Sequence, residues 1–122
     1  MIRILIVDDT PADGIKATEA LRTMGYQITG IAPDGATAIR MARVHLPDVI
    51  IMDLILDDMN GLDVIRSIKI DCPQVKAILC SQSGGESIVD IAMKSGAAGY
   101  VVKPYLPEIL RSCVQRVLNC RI

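Results

Sequence analysis

Five short apolar runs, each followed by a stretch with helical spacing, limit what this chain can fold into more than any other feature. The runs are IRILIV (2–7), YQITGIA (26–32), DVIIMD (48–53), VKAILCS (75–81) and AGYVV (98–102). The first and third are almost unbroken by polar residues, the pattern of a strand buried on both faces. After Thr10-Pro11, residues Ala17, Ala20, Leu21 and Met24 recur at i, i+3, i+4 and i+7, and Gly25 stops the run. The segment 34–46 reads as a second helix, with Asp34 at its N-cap and Pro47 beyond its end. In 61–70, Gly61, Val64, Ile65 and Ile68 share one face; in 86–96, Ile88, Ile91 and Ala92 stack before Gly96. The last helix is expected over 106–119, with Pro107 in its first turn, where a missing N–H costs nothing. A strand followed by a helix, five times over, implies an α/β domain with a parallel sheet and helices on both faces.

The bulk numbers narrow the function. The 122 residues suit one domain, and 51% are hydrophobic, nearly all aliphatic, with three Tyr and no Trp or Phe. A net charge of -1 argues against a general nucleic-acid binder. Cys72, Cys80, Cys113 and Cys120 form no CxxC pair, and His45 is distant from them in sequence, which argues against zinc. All four are expected to be reduced thiols of a cytoplasmic protein. The start MIRILIVDD meets acids at residue 8 and does not read as a signal peptide. No apolar stretch approaches the roughly 20 residues of a membrane helix.

Functional residues of such sheets gather at the carboxyl ends of the strands, near the switch in strand order. Strand one ends in Asp8-Asp9, strand three in Asp53, strand four in Ser81 and strand five in Lys103-Pro104. In the order 2-1-3-4-5, these ends are consecutive neighbours and converge on one pocket. Three carboxylates so close repel one another and stay ionised only beside a counter-charge. Lys103 supplies one positive charge and a divalent cation two; all-oxygen ligation by few carboxylates suits Mg²⁺, which readily takes phosphate as a further ligand. An aspartate beside such a cation can act as a nucleophile and form an aspartyl phosphate. Singly, each residue has a plainer reading. Asp8-Asp9 could cap the first helix, Asp57 and Asp58 read as exposed loop acids, and a lone Ser81 or Lys103 says little. Their joint placement at separate strand ends is what the plainer readings leave unexplained.

Over its whole length, 1–122, the chain resembles the receiver domain of bacterial response regulators. The resemblance rests on ILIVDD, DVIIMDL followed by MNGLDVI, ILCS and GAAGYVVKPY. It implies a flavodoxin-like (βα)5 fold with sheet order 2-1-3-4-5. It further implies that Asp53 is phosphorylated and that Asp8, Asp9, Asp53 and the carbonyl of Ile55 hold Mg²⁺. Ser81 would be the switch hydroxyl, Lys103 the phosphate-pairing lysine with a cis bond to Pro104, and Tyr100 the aromatic that follows Ser81. A histidine kinase would supply the phosphoryl group, and an output face near Ser87, Asp90, Lys94, Tyr100 and Tyr105 would meet a downstream protein such as a flagellar motor switch. The protein would be a switch rather than an enzyme, beyond phosphotransfer to itself and slow self-dephosphorylation. It would be a monomer or a phosphorylation-linked dimer with no nucleic-acid or membrane contact of its own.

Three positions depart from the family pattern: Asp57 stands where proline is frequent, Gln82 where a small residue is common, and Pro11 follows Thr10 directly. Three residues follow the expected last helix, which leaves open a stand-alone receiver or the receiver part of a longer protein; the stretch ILCSQSGGESIVDIAMKSGAAGYVVKPY is similar to the stand-alone, chemotaxis type and favours it, the alternative being the receiver part of a longer transcriptional response regulator. Other classes fit less well. A phosphohydrolase of the aspartyl-phosphate type resembles Asp-x-Asp after strand one, and a nucleotide or flavin binder would carry a Gly-rich loop there, not DDTPADG. A degenerate receiver serving only as a scaffold would not need all of Asp8, Asp9, Asp53, Ser81 and Lys103.

Overall fold

The computed structural model describes residues 1–82 and 85–119, so the expectation of a reduced Cys120 lies outside the described residues. Ten elements alternate without exception: β1 (Arg3–Val7), α1 (Pro11–Arg22), β2 (Gln27–Ala32), α2 (Gly35–His45), β3 (Val49–Asp53), α3 (Gly61–Asp71), β4 (Lys76–Ser81), α4 (Glu86–Lys94), β5 (Gly99–Val102) and α5 (Pro107–Asn119). The strands form one parallel sheet in the order β2-β1-β3-β4-β5. Gly30 does not interrupt β2: the register against β1 slips by one residue between Ile4 and Leu5, and the strand continues past this bulge.

The unbroken apolar runs follow from burial on both faces. Leu5, Val7, Ile50, Met52, Ala77 and Leu79 face a layer made by α2, α3 and α4. The alternate residues Ile4, Ile6, Val49, Ile51, Ile78, Cys80 and Val101 face α1 and α5. Helix ends follow local chemistry. The Asp34 side chain accepts from the Thr37 N–H at 2.8 Å, and Asn60 accepts from the Leu62 N–H at 2.8 Å. Gly25 and Gly96 take the positive φ angles that follow α1 and α4.

Helix α4 is held less firmly than its spacing alone would indicate. Of the stacked trio in α4, only Ala92 is buried; Ile88 is partly exposed and Ile91 is 54% exposed. The strand nearest that helix is β5, a four-residue edge strand, so the apolar surface under α4 is narrow.

Candidate functional site

Side-chain parity brings the charged residues together. Asp8 continues the phase of Ile4 and Ile6, Asp53 that of Val49 and Ile51, and Lys103 that of Val101. All three therefore lean toward the α1/α5 side at the carboxyl edge of the sheet. Backbone bonds extend the sheet to hold them there: the Asp8 N–H donates to Ala32 O at 3.0 Å and the Lys103 N–H to Ser81 O at 2.8 Å. The Lys103–Pro104 peptide is cis.

The ammonium of Lys103 donates to Asp8 Oδ2 at 2.9 Å and to Asp53 Oδ2 at 3.2 Å. It also donates to Asp13 Oδ2 at 3.2 Å. The Lys103–Asp8 pair is shielded from solvent, with side chains 7% and 0% exposed. Asp8 is fixed further by the Thr10 N–H on Oδ1 at 2.9 Å and the Tyr105 hydroxyl on Oδ2 at 3.2 Å. The Asp8-Asp9 pair does not cap α1; Thr10 occupies the N-cap and makes no side-chain cap bond.

Burial raises the pKa of Asp53, against the pull of Lys103 and of the Ile55 N–H on Oδ1 at 3.3 Å. Burial would lower that of Lys103, but Asp8, Asp53 and Asp13 override it and hold the amine well above its ordinary value. Burial likewise pushes the Cys80 thiol up to about 12 and raises the Tyr105 hydroxyl, so both stay neutral.

Carboxylate oxygens of Asp8, Asp9 and Asp53 all lie within 4.8 Å of one another. An all-oxygen donor set this tight, open to solvent on one side, fits a small divalent cation that keeps part of its water shell. Beside it opens a cavity of about 190 Å³ lined by Thr10, Asp13, Asp53, Ile55, Ser81, Gln82 and Lys103. Ser81 is buried, and Tyr100 packs against the layer that holds α4.

Sequence reasoning missed Asp13 and misplaced Tyr105. Asp13 is in the first turn of α1, whose N-terminus follows directly from the pocket edge; an acid in that turn was the available signal. Tyr105, expected on the output face, is instead buried in the α1/α5 layer, because it continues the phase of Val101 and Lys103 and its hydroxyl is bound to Asp8. Ser87, Asp90 and Lys94 are exposed on α4, the last two paired at 3.0 Å. Asp57 and Asp58 are exposed loop acids as expected, but Asp58 also binds backbone. Its carboxylate accepts from the N–H groups of Gly35 at 2.8 Å and Ala36 at 3.1 Å. That ties the β3–α3 loop to the start of α2.

A family model for the response regulator receiver domain matches residues 4–115. The chemotaxis protein CheY of Thermotoga maritima is 35% identical over 116 residues, 94% of this chain and 96% of that protein. The DNA-binding response regulator MtrA of Mycolicibacterium smegmatis is 36% identical over 117 residues, 96% of this chain but 50% of that protein. Among solved structures, the CheX–CheY–BeF3–Mg²⁺ complex from Borrelia burgdorferi superposes with a TM-score of 0.93 at 25% identity, covering 98% of this chain and 90% of that one.

Proposed function

Since the chain belongs to the response regulator receiver family, we propose that it is a phosphorylation-activated switch with Asp53 as the acceptor. The observation that carries this is the placing of Asp53 at the end of β3, 3.2 Å from the Lys103 ammonium and within 4.8 Å of oxygens from Asp8 and Asp9. A carboxylate oxygen of Asp53 attacks the phosphorus of a phosphohistidine on a partner kinase. The new O–P bond replaces the P–N bond, whose electron pair stays with the imidazole; that nitrogen is protonated from solvent. Lys103 donates to the phosphoryl oxygens, and Asp8, held by Thr10 and Tyr105, keeps Lys103 in place. A divalent cation such as Mg²⁺, bound by Asp8, Asp9 and Asp53 with the Ile55 carbonyl, would supply further positive charge against those oxygens.

Ser81 then turns its hydroxyl to the phosphoryl group, Tyr100 follows inward, and the face formed by α4, β5 and α5 changes. This face has exposed apolar residues at Ile91, Val102, Leu106 and Ile109 for a downstream partner. The CheY relatives match over nearly their full length and this chain's, which favours a stand-alone chemotaxis-type regulator acting in the cytoplasm, with a flagellar motor switch as one partner. The MtrA match favours the second reading, the receiver part of a longer transcriptional regulator. In either case the protein turns over no separate substrate.

The test is intact-protein mass after incubation with acetyl phosphate, with and without Mg²⁺, beside Asp53→Asn. One phosphoryl adduct that needs both Mg²⁺ and Asp53 is expected. An adduct that persists in Asp53→Asn would refute the assignment of the nucleophile.

A further inference from the structure

Lys103 has three N–H bonds to give, and all three go to carboxylates: Asp8, Asp53 and Asp13. Two of these acids belong to the cation-binding trio. Asp13 does not; it lines the cavity and is the most exposed of the three, at 26%. For Lys103 to donate to a phosphoryl oxygen, one of its bonds must break. The Asp8 bond is shielded from water and braced by Thr10 and Tyr105, so it is the costliest to lose. The Asp13 bond is the one solvent can replace.

Building on the phosphoacceptor reading above, we propose that Asp13 is a positioning residue that restrains phosphorylation: it occupies one donor of Lys103 and sets a negative charge on the wall of the cavity that an anionic phosphodonor must occupy. Three carboxylates face one ammonium, a fourth, Asp9, stands beside two of them, and Asp13 is the one that a cation in the trio leaves unneutralised. Phosphoryl transfer adds more negative charge on the same side. Removing the Asp13 charge weakens its hold on that donor and lowers the repulsion, while Asp8 still holds Lys103 in position.

The readout is the dependence on donor charge, which a purely structural role of Asp13 would not move. Rates of adduct formation on Asp53 are measured with acetyl phosphate, a dianion at neutral pH, and with phosphoramidate, which carries one fewer negative charge. Asp13→Asn is expected to raise kcat/KM for acetyl phosphate about three- to thirtyfold, the range one unit charge produces across a partly solvated gap of a few ångströms. The gain for phosphoramidate should be clearly smaller, and the gap between wild type and Asp13→Asn should narrow as salt is added. Asp13→Glu, which keeps the charge, should stay near the wild-type rate. Equal gains for both donors, no gain, or a loss in Asp13→Asn would overturn the proposal while leaving Asp53 as acceptor. Absence of any adduct in every variant would overturn both. If Asp13→Asn fails to fold, Asp13→Ser carries the same comparison.

Discussion

Helices α3 and α4 flank the same face of the sheet and are similar in length, yet they are held in different ways. α3 is capped by the Asn60 side chain and buries Gly61, Val64, Ile65 and Ile68. It begins so close to β3 that a Cβ on Gly61 would lie 2.7 Å from the Asp53 carbonyl oxygen, so glycine is required by space. α4 starts at Gly85 without a side-chain cap and buries only Ala92, with Ile91 and Met93 exposed. One helix is an anchor for Asp53. The other is a weakly docked element that follows directly on the strand ending in Ser81. Stability is uneven across a fold, and parts that move are drawn from its weakly held end.

The sharpest way to break this contrast is a pair of truncations. Ile65→Ala should cost about 2–5 kcal/mol in urea denaturation, as for a buried isoleucine. Ile91→Ala should stay within about 0.5 kcal/mol. Equal losses would show that α4 is as firmly packed as α3. A smaller effect is expected at the helix starts. Asn60→Ala should cost about 1 kcal/mol. Gly85→Ser, at an extended position with nothing within 4 Å of an added Cβ, should be neutral or slightly stabilising and should slow amide exchange in α4.

The smallest effect concerns the loop that leads into α3. The N–H groups of Gly35 and Ala36 hold the Asp58 carboxyl below its ordinary value of 3.8. A lowered folded pKa stabilises above the unfolded value, and that contribution is lost as pH falls through the folded one. The Tm difference between wild type and Asp58→Asn should therefore be small at pH 7 and close on acidification below the carboxylate range. A difference that grew on acidification would refute the tether.

Nearly all of the fold was legible, because two-faced burial writes itself into the strands as continuous apolar runs and the helix stops are glycines or prolines. Observed ends differ from the expected ones by a residue or two. The central site was legible for a related reason: strand ends are fixed points, so acids placed there must meet. The bond from Asp13 to Lys103 was not legible: an acid in the first turn marks the residue, but nothing in its spacing says which way a rotamer reaches. Tyr105 lies three residues past β5, where the strand has ended but its alternation of faces runs on. The exposure of Ile91 was not legible, because apolar spacing reports which residues share a face, not how much sheet lies beneath it. Asp58 looked like an ordinary loop acid because its partners are backbone groups 22 and 23 residues away.

Lys103 joins Asp8 just past β1, Asp13 on α1 and Asp53 at the end of β3, so one amine ties the chain beyond β5 to two regions 50 and 90 or more residues away in sequence. With the site already assembled, what stands between the arrival of a donor and reaction is the Asp13 bond and its charge. Under the proposed roles, the protein would follow a fluctuating stimulus at a pace set by that restraint as well as by delivery from its kinase. Its memory of that stimulus would be set by hydrolysis rather than by its own assembly.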